Sequence, residues 1–519
     1  MPHYKILLTV LLIICFLLAP AGLLSQEKVL PLSLKDAVVK AMENNLDIAV
    51  DVLTPELADI SVIFAGEKFL PRLSFGYSQE RTNSPSFSWI EAAGNISADF
   101  NDYQASLRQL VPTGGNLTVS MYSYTYESNQ KFQTINPRYG STLRFNFTQP
   151  ILKDFGFKTS RREIRIAQNF FNKSESDFKQ QVINTVYSIE EAYWNLVYSL
   201  DDLKAKQQSL KLAQDLLEKN KREVEVGMQA PIEVLTAESE VATREADILH
   251  AQAQVENSRD SLATLLNLQN TEEQILKIIP EDKPLFKEKR VTMDEALAAA
   301  LVNRPDLKSL EFTVENRNID LGYAKNQLLP DLSLNASYWS PGISGSQIIY
   351  KNNNPLTGEI INVIPGDASQ ALADSFNFEY NNWSVGLTLT IPTSMVFTRA
   401  QHAKAQVELK QAEADLKRQK KQAFLEIRNA VRAGQSNYKR VQAYKKAREL
   451  AEQTLAAEEK KLEVGLSTNY MVLQLQRDLA DTKSAELQAL IDYNLSLAAL
   501  EKAQGTTLDK WDISMRNFW

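Results

Sequence analysis

The sequence predicts an α+β membrane protein made of two duplicated halves, in which strands cross the membrane and unusually long helices lie outside it. Three observations predict this class. The chain opens on a processing leader, yet past residue 25 no apolar run approaches the roughly 18 residues a spanning helix needs. The hydrophobic period switches between helical steps and steps of two. The same order of elements occurs twice along 519 residues.

The leader is expected over residues 1–25. Lys5 gives a positive start, the run "ILLTVLLIICFLLAP" is apolar, and "APAG" offers small residues for cleavage, placed between 21 and 25. Cys15, the sole cysteine, lies inside the run and follows Ile14, where a lipoprotein signal needs a small residue, so no lipid anchor and no disulfide are expected. Hydrophobic content of 44% and charged content of 23% exclude both a disordered chain and a helical membrane protein. A net charge of −7 argues against nucleic acid as a partner. His3, His250 and His402 are scattered, so no metal site and no cofactor are expected. Carboxylate pairs such as Glu190-Glu191 are adjacent on charged helices and diverge, so no catalytic residues and no enzyme are expected.

The duplication shows in "LSLKDAVVKAMENNLDI" (32–48) and "VTMDEALAAALVNRPDL" (291–307), which align without gaps at an offset of 259. The offset still holds at "LPRLS" (70–74) and "LPDLS" (329–333). A repeat this long means two equivalent halves and not a short-period solenoid. The expected organisation is a first repeat over 26–269, a connector over 270–290, a second repeat over 291–505 and a tail over 506–519.

Each half begins with a short helix, 34–44 or 293–303, the first capped by Ser33 with Asp36 at its third position. A second helix, 46–69 or 305–328, runs to a Leu-Pro; Thr54 and Pro55 mark a kink or restart in the first copy. After the strands comes a very long helix, 163–226 or 398–464, with no proline in 151–230 or 393–519. Phe171, Phe178, Val182, Val186, Ile189, Tyr193, Leu196, Leu200, Leu203, Leu210 and Leu217 recur at about 3.5 residues. Some 64 residues at about 1.5 Å each make a rod of about 95 Å, which needs lateral partners. The helices over 46–69 and 231–266 together match it in length, as do 305–328 and 468–503 for the second half. Between rod and return stands a Val-Gly, in "EVEVGMQAPIEVL" (223–235) and "KLEVGLSTNYMVL" (461–473). Glycine ends a helix in the left-handed conformation, and Pro231 begins the next.

After each Leu-Pro the period becomes two. Leu73, Phe75 and Tyr77 alternate with Ser74, Gly76 and Ser78; Leu143, Phe145 and Phe147 with Arg144, Asn146 and Thr148. Leu332, Leu334, Ala336 and Tyr338 do the same, as do Trp383, Val385, Leu387, Leu389 and Ile391. Each stretch is near ten residues, the length of a tilted membrane strand. A half-buried soluble sheet alternates alike, and then the helices read as a periplasmic structural coiled coil. The polar segment 340–382 is expected as a long outer loop. Four strands cannot close a barrel, so spanning lipid requires oligomers. Residues 103–127, with Pro112-Thr113-Gly114-Gly115, read as one more hairpin that either adds barrel strands or extends the outer loop.

The leader, the duplicated helix–strand–helix halves, Leu-Pro before strands, "FTQPIL" (147–152) before the long helix and the Val-Gly breaks together resemble the TolC-like outer-membrane efflux protein family. The resemblance implies a homotrimer in the outer membrane of a Gram-negative-type bacterium. Four strands per subunit would form one twelve-stranded β-barrel, continued through the periplasm by a long α-helical barrel. It implies a passive export duct of a tripartite efflux system, or of a type I protein secretion system, working with an inner-membrane transporter and a periplasmic adaptor. The adaptor would dock at the tips, here Val226, Gly227 and Met228 with Val464, Gly465 and Leu466. Glu233 matches one carboxylate position of the family's tunnel constriction. Met471 and Gln474 occupy the other ring positions, and Leu462 and Ser467 stand where a tyrosine and an arginine would be. The terminal "MRNFW" resembles the aromatic end of many barrel proteins but follows a helix.

Overall fold

The computed structural model describes residues 28–88, 94–268 and 276–518; the expected leader, the first part of the connector and Trp519 lie outside them. In chain order, β1 (Lys28–Leu32) leads to α1 (Leu34–Asn44), α2 (Leu46–Asp51) and α3 (Leu53–Gly66). Four strands follow, β2 (Arg72–Pro85), β3 (Asn95–Leu110), β4 (Asn116–Ser128) and β5 (Ile135–Pro150). Then come α4 (Arg162–Glu225), α5 (Pro231–Leu265) and β6 (Leu276–Pro280). The second series is α6 (Met293–Asn303), α7 (Pro305–Asn326), β7 (Asp331–Tyr350), β8 (Ile360–Ile364), α8 (Ala368–Phe376) and β9 (Asn382–Thr390). It ends in α9 (Val396–Glu463) and α10 (Asn469–Gln504).

These elements form two compact units, one of residues up to Thr54 with Glu175–Ser309 and Lys417 onward, the other of Pro55–Ser174 with Leu310–Leu416. In the helical unit the caps are local. Ser33 accepts from the Asp36 N–H, and Thr292 forms a capping box with Glu295. The buried stripe of α4 holds Phe178, Val182, Val186, Ile189, Tyr193 and Leu196, against Ala37, Val38 and Ala41 of α1 and Leu262 of α5. Further along, the buried face shifts from the expected Leu210 and Leu217 to Ser209, Ala213, Leu216 and Asn220. Small and polar residues there admit a buried arginine from α5, described below.

β1 pairs in parallel with β6, tying the start of the first half to the connector. Tyr193 locks this seam. Its hydroxyl donates to the Leu32 carbonyl at 3.0 Å and accepts from the Asp282 N–H at 3.2 Å, and burial pushes the phenol's pKa up. The two halves also share one tertiary device. Asn45, which ends α1, donates to the Leu265 carbonyl at 2.8 Å; its counterpart Arg304, which ends α6, donates to the Ala503 carbonyl at 3.2 Å. Each thus pins a short helix to the last turn of its half's final helix.

The tail is part of this core. Phe518 meets Phe178 edge-on at 5.5 Å, and Trp511 Nε1 donates to the buried Glu190 carboxylate at 2.6 Å, beside Lys510 at 3.1 Å. Met515 and Phe518 therefore pack on a helical core and follow no strand. Burial, which outweighs Lys510, raises the Glu190 pKa. The folded chain then holds this proton more tightly than the unfolded chain, and stability falls as pH rises from the ordinary value of 4.5 through the raised one. Glu190→Gln, which keeps an acceptor for Trp511, is expected to flatten that slope in melting temperature. Glu190→Ala, which orphans the indole N–H of Trp511 and leaves Lys510 with Glu501 alone, is expected to cost about 1–3 kcal/mol near neutral pH.

The second unit is built on one open sheet in the order β2-β3-β4-β5-β7, with β8 and β9 both pairing β7 along different stretches. Register places a continuous apolar set on one face. It runs from Leu73, Phe75 and Tyr77 through Tyr103 and Leu107, Leu117 and Val119, Phe145 and Phe147, Ala336 and Tyr338 to Val385, Leu387 and Leu389. The other face is laced by polar side chains: Ser74 with Ser106 at 2.7 Å, Ser337 to Asn146 at 2.8 Å, and Asn335 to Thr388 at 3.0 Å. Arg144 lies over Trp339, and Arg138 over Tyr126, both at 5.2 Å on that same polar face.

Two expectations are corrected here. Among the described residues this sheet holds six long strands and the short β8, where the resemblance implied four; residues 95–128, read as either added strands or an outer loop, form two full strands between β2 and β5. The segment 340–382 is no plain loop: β7 runs on to Tyr350, and β8 and α8 follow. α8 packs against small residues of β5 and β7; Ser375 Oγ donates to Ser141 Oγ at 3.0 Å, and Phe378 stacks on Phe145.

Candidate functional site: the helical hairpin tips

The tips are built by paired Schellman motifs. At the end of α4 the Gly227 N–H donates to the Val224 carbonyl at 3.0 Å and the Met228 N–H to the Glu223 carbonyl at 2.8 Å. At the end of α9 the Gly465 and Leu466 N–H groups reach Leu462 and Lys461 at the same two distances. Gly227 has φ +73° and Gly465 φ +77°, and a Cβ on either would meet nothing within 4 Å. Backbone conformation, not crowding, demands glycine there. Pro231 opens α5, and the Thr468 hydroxyl caps α10 by accepting from the Met471 N–H.

Both turns thrust apolar side chains into solvent: Val226 is 70% exposed, Met228 77%, Val464 69% and Leu466 77%. Ile232, Leu235, Tyr470 and Met471 extend the exposed apolar set onto the flanking helices. Among the described residues no contact covers these side chains. A cleft of about 400 Å³ between α5 and α10, lined by Ile232, Leu235, Tyr470, Gln474 and Arg477, adjoins it.

Polar contacts join one tip to the other. Gln229 donates to Glu223 at 2.7 Å and accepts from Asn469 at 2.8 Å. Ser467 donates to Glu458 at 2.6 Å, which with Lys461 keeps that carboxylate's pKa below its ordinary value. Glu233 is half-exposed and accepts from Asn469 at 3.3 Å; Gln474 is exposed on the cleft, and the two share no hydrogen bond. Leu462 packs against the apolar cluster of Ala213, Leu216, Leu455, Val472 and Leu473, as a core residue does.

Sequence reasoning missed the strongest polar feature here. Arg244 is buried, with Nε 2.9 Å from Glu240 Oε1, Nη1 donating to the Ser209 carbonyl at 2.6 Å and Nη2 to the Leu473 carbonyl at 3.0 Å. Arg477 of α10 meets the other oxygen of Glu240 at 2.6 Å, so one carboxylate ties α5 to α10 beside the cleft. The i,i+4 spacing of Glu240 and Arg244 was legible; the reach of Arg477 was not. Glu240→Ala leaves a buried guanidinium with only carbonyl partners and is expected to destabilise by about 1–3 kcal/mol, read as an earlier melt of the detergent-solubilised protein.

Residues 37–268 and 296–506 match the model of the outer membrane efflux protein family. Nodulation protein T of Rhizobium leguminosarum bv. trifolii is 24% identical over 364 residues, 68% of this chain and 70% of that protein. Outer membrane protein TolC of Vibrio cholerae serotype O1 is 23% identical over 441 residues, 83% of this chain and 90% of that protein. Among solved structures, the outer-membrane channel OprN superposes with a TM-score of 0.64 at 18% identity, covering 91% of this chain and 90% of that one. The Campylobacter jejuni CmeC outer membrane channel gives 0.62 at 17% identity, covering 91% and 86%. These likenesses fix the fold, and the family match spans most of the chain. The chain belongs to the outer membrane efflux protein family: it is an efflux channel protein of the outer membrane with a large periplasmic helical part.

Proposed function

We propose that three copies of the chain assemble into one duct, whose strands line a pore through the outer membrane and whose helices carry it across the periplasm. The duct is passive and performs no catalysis. The tips Val226, Gly227 and Met228 with Val464, Gly465 and Leu466 receive a periplasmic adaptor, and an inner-membrane transporter supplies the energy. Glu233 and Gln474, close to the tips, face the narrow end of the tunnel. The observation that carries this reading is a single sheet with one apolar and one polar face, on a chain whose hairpin tips also expose apolar side chains. The apolar face suits lipid only if the open edges are closed by further copies, since unpaired backbone groups are not tolerated in hydrocarbon.

The test uses the full-length protein in a planar bilayer, on detergent gels with and without heating, and in cross-linking with a periplasmic adaptor protein from the same cells. Ion conductance, a heat-sensitive trimer band and adaptor cross-links formed from cysteines at Met228 and Leu466 are expected. A detergent-independent, water-soluble monomer without conductance overturns the proposal.

A further inference from the structure

We propose that the pore in the outer membrane is an eighteen-stranded barrel in which each copy supplies six staves, and that β2 of one copy pairs with β9 of the next. This rests on the trimeric reading above and goes beyond it, because four strands per copy would give twelve.

The first ground is that β3 and β4 are true staves. They lie between β2 and β5 with unbroken ladders on both sides, from Arg72↔Arg108 to Pro85↔Asn95 and from Asn116↔Thr148 to Tyr126↔Arg138. Their faces keep step with their neighbours: Leu107, Leu117 and Val119 join the apolar face, and Ser106, Thr118 and Ser120 the polar one. A hairpin folded into an outer loop has no reason to carry that band at the same height as its neighbours.

The second ground is the turn between them. Residues 111–115 are seated between the roots of both flanking strands. Gln109 donates to the Phe69 carbonyl just before β2; Thr113 donates to Gln149 near the end of β5 at 2.7 Å, and the Gly156 N–H to the Thr113 carbonyl at 2.9 Å. The hairpin therefore reaches the full depth of the sheet.

The third ground concerns the occupant of the open edges. β2 is exposed along its whole length, β9 along nearly all of it, and each has one strand partner among the described residues. β8, reading IINVI, is exposed throughout and continues the edge beyond β9. An uncovered apolar edge invites pairing with another chain. Six staves are an even number, so β9 descends where the next copy's β2 ascends, and every junction around the ring is antiparallel. Leu73, Phe75 and Tyr77 then share a face with Leu389, Leu387 and Val385 across the junction. A second copy of this chain meets both requirements at once.

The consequence is width. At about 4.8 Å between strands and a tilt of about 40°, twelve strands close at a radius of about 12 Å and eighteen at about 18 Å, roughly doubling the cross-section before side chains are counted. The added staves also bring Tyr122, Tyr124 and Tyr126 of β4 to the polar, pore-side face.

Cryo-electron microscopy of the full-length protein in phospholipid nanodiscs decides the count. A trimer with eighteen strands in a section at the level of Val119 is expected. A trimer with twelve strands, and residues 95–128 outside the wall, overturns this inference while leaving the trimeric duct intact; a particle that is not trimeric overturns both. In the same nanodiscs a membrane-impermeant maleimide should label Thr118→Cys at least tenfold faster than Val119→Cys. Equal rates, as for a hairpin in water, also overturn it.

Discussion

Valine at both Gly227 and Gly465 is expected to abolish export and to lower adaptor cross-linking at least tenfold, while heat-sensitive trimers persist. The two glycines hold φ +73° and +77°. A residue with a Cβ costs about 1–2 kcal/mol there, and a β-branched one more. Neither glycine has a neighbour within 4 Å of where its Cβ would be, so the penalty is purely conformational. It falls on the hydrogen bonds that end the helices, releasing the carbonyls of Glu223 and Val224 and of Lys461 and Leu462. The apolar side chains then lose their fixed presentation. Asparagine, which visits the left-handed region, is expected to restore most binding at both positions. The check is a cysteine cross-link from Met228 or Leu466 to the adaptor, alongside survival of cells on an exported toxicant. Undiminished cross-linking by the double valine variant would remove the tips from the docking surface.

Arg304→Ala is expected to give the largest loss of stability of any single change considered, about 2–4 kcal/mol. The Arg304 side chain is 8% exposed and serves three partners: Asp306 at 2.6 Å, Glu426 at 2.7 Å and the Ala503 carbonyl at 3.2 Å. Removing it takes away the guanidinium that Asp306 and Glu426 share and leaves the Ala503 carbonyl without that donor. The partial exposure of Glu426 keeps the figure below the fully buried limit. Lysine is not expected to rescue, because one ammonium cannot span the three acceptors. Burial works to raise the Asp306 pKa, but hydrogen bonds from Arg304 and Gln419 prevail and hold it below 3.8. The stability this contributes is present above that ordinary value and is lost as pH falls through the depressed one. The wild type should therefore lose more melting temperature between pH 7 and pH 3 than Arg304→Ala does, so that the two proteins draw together at low pH.

The helix ends were legible because their causes are local. Ser33 caps α1, Val-Gly closes α4 and α9, and Pro231 opens α5, each from within a few residues. The restart near Thr54 was legible for the same reason, and the helix breaks at Val52. The sheet was only half legible. β2, β5, β7 and β9 alternate apolar with polar; β4 carries Tyr122, Tyr124 and Tyr126 on its polar face, and β3 carries Asn101, Asp99 and Ser97 on the other, so simple alternation fails there. Pairing partners, which sit tens of residues away, decide those strands. At the tips, position was written in the sequence and bracing was not. Gln229, Asn469, Arg477 and Glu240 meet across elements separated by more than two hundred residues.

The turn at 111–115 lies beside the roots of β2 and β5, whereas the paired ends Pro85↔Asn95 and Tyr126↔Arg138 lie at the opposite end of the sheet. An insertion with both its ends in that distal region leaves the junctions of α3 with β2 and of β5 with α4 undisturbed. Gaining or losing β3 and β4 as a pair would therefore alter the width of the sheet without touching either root.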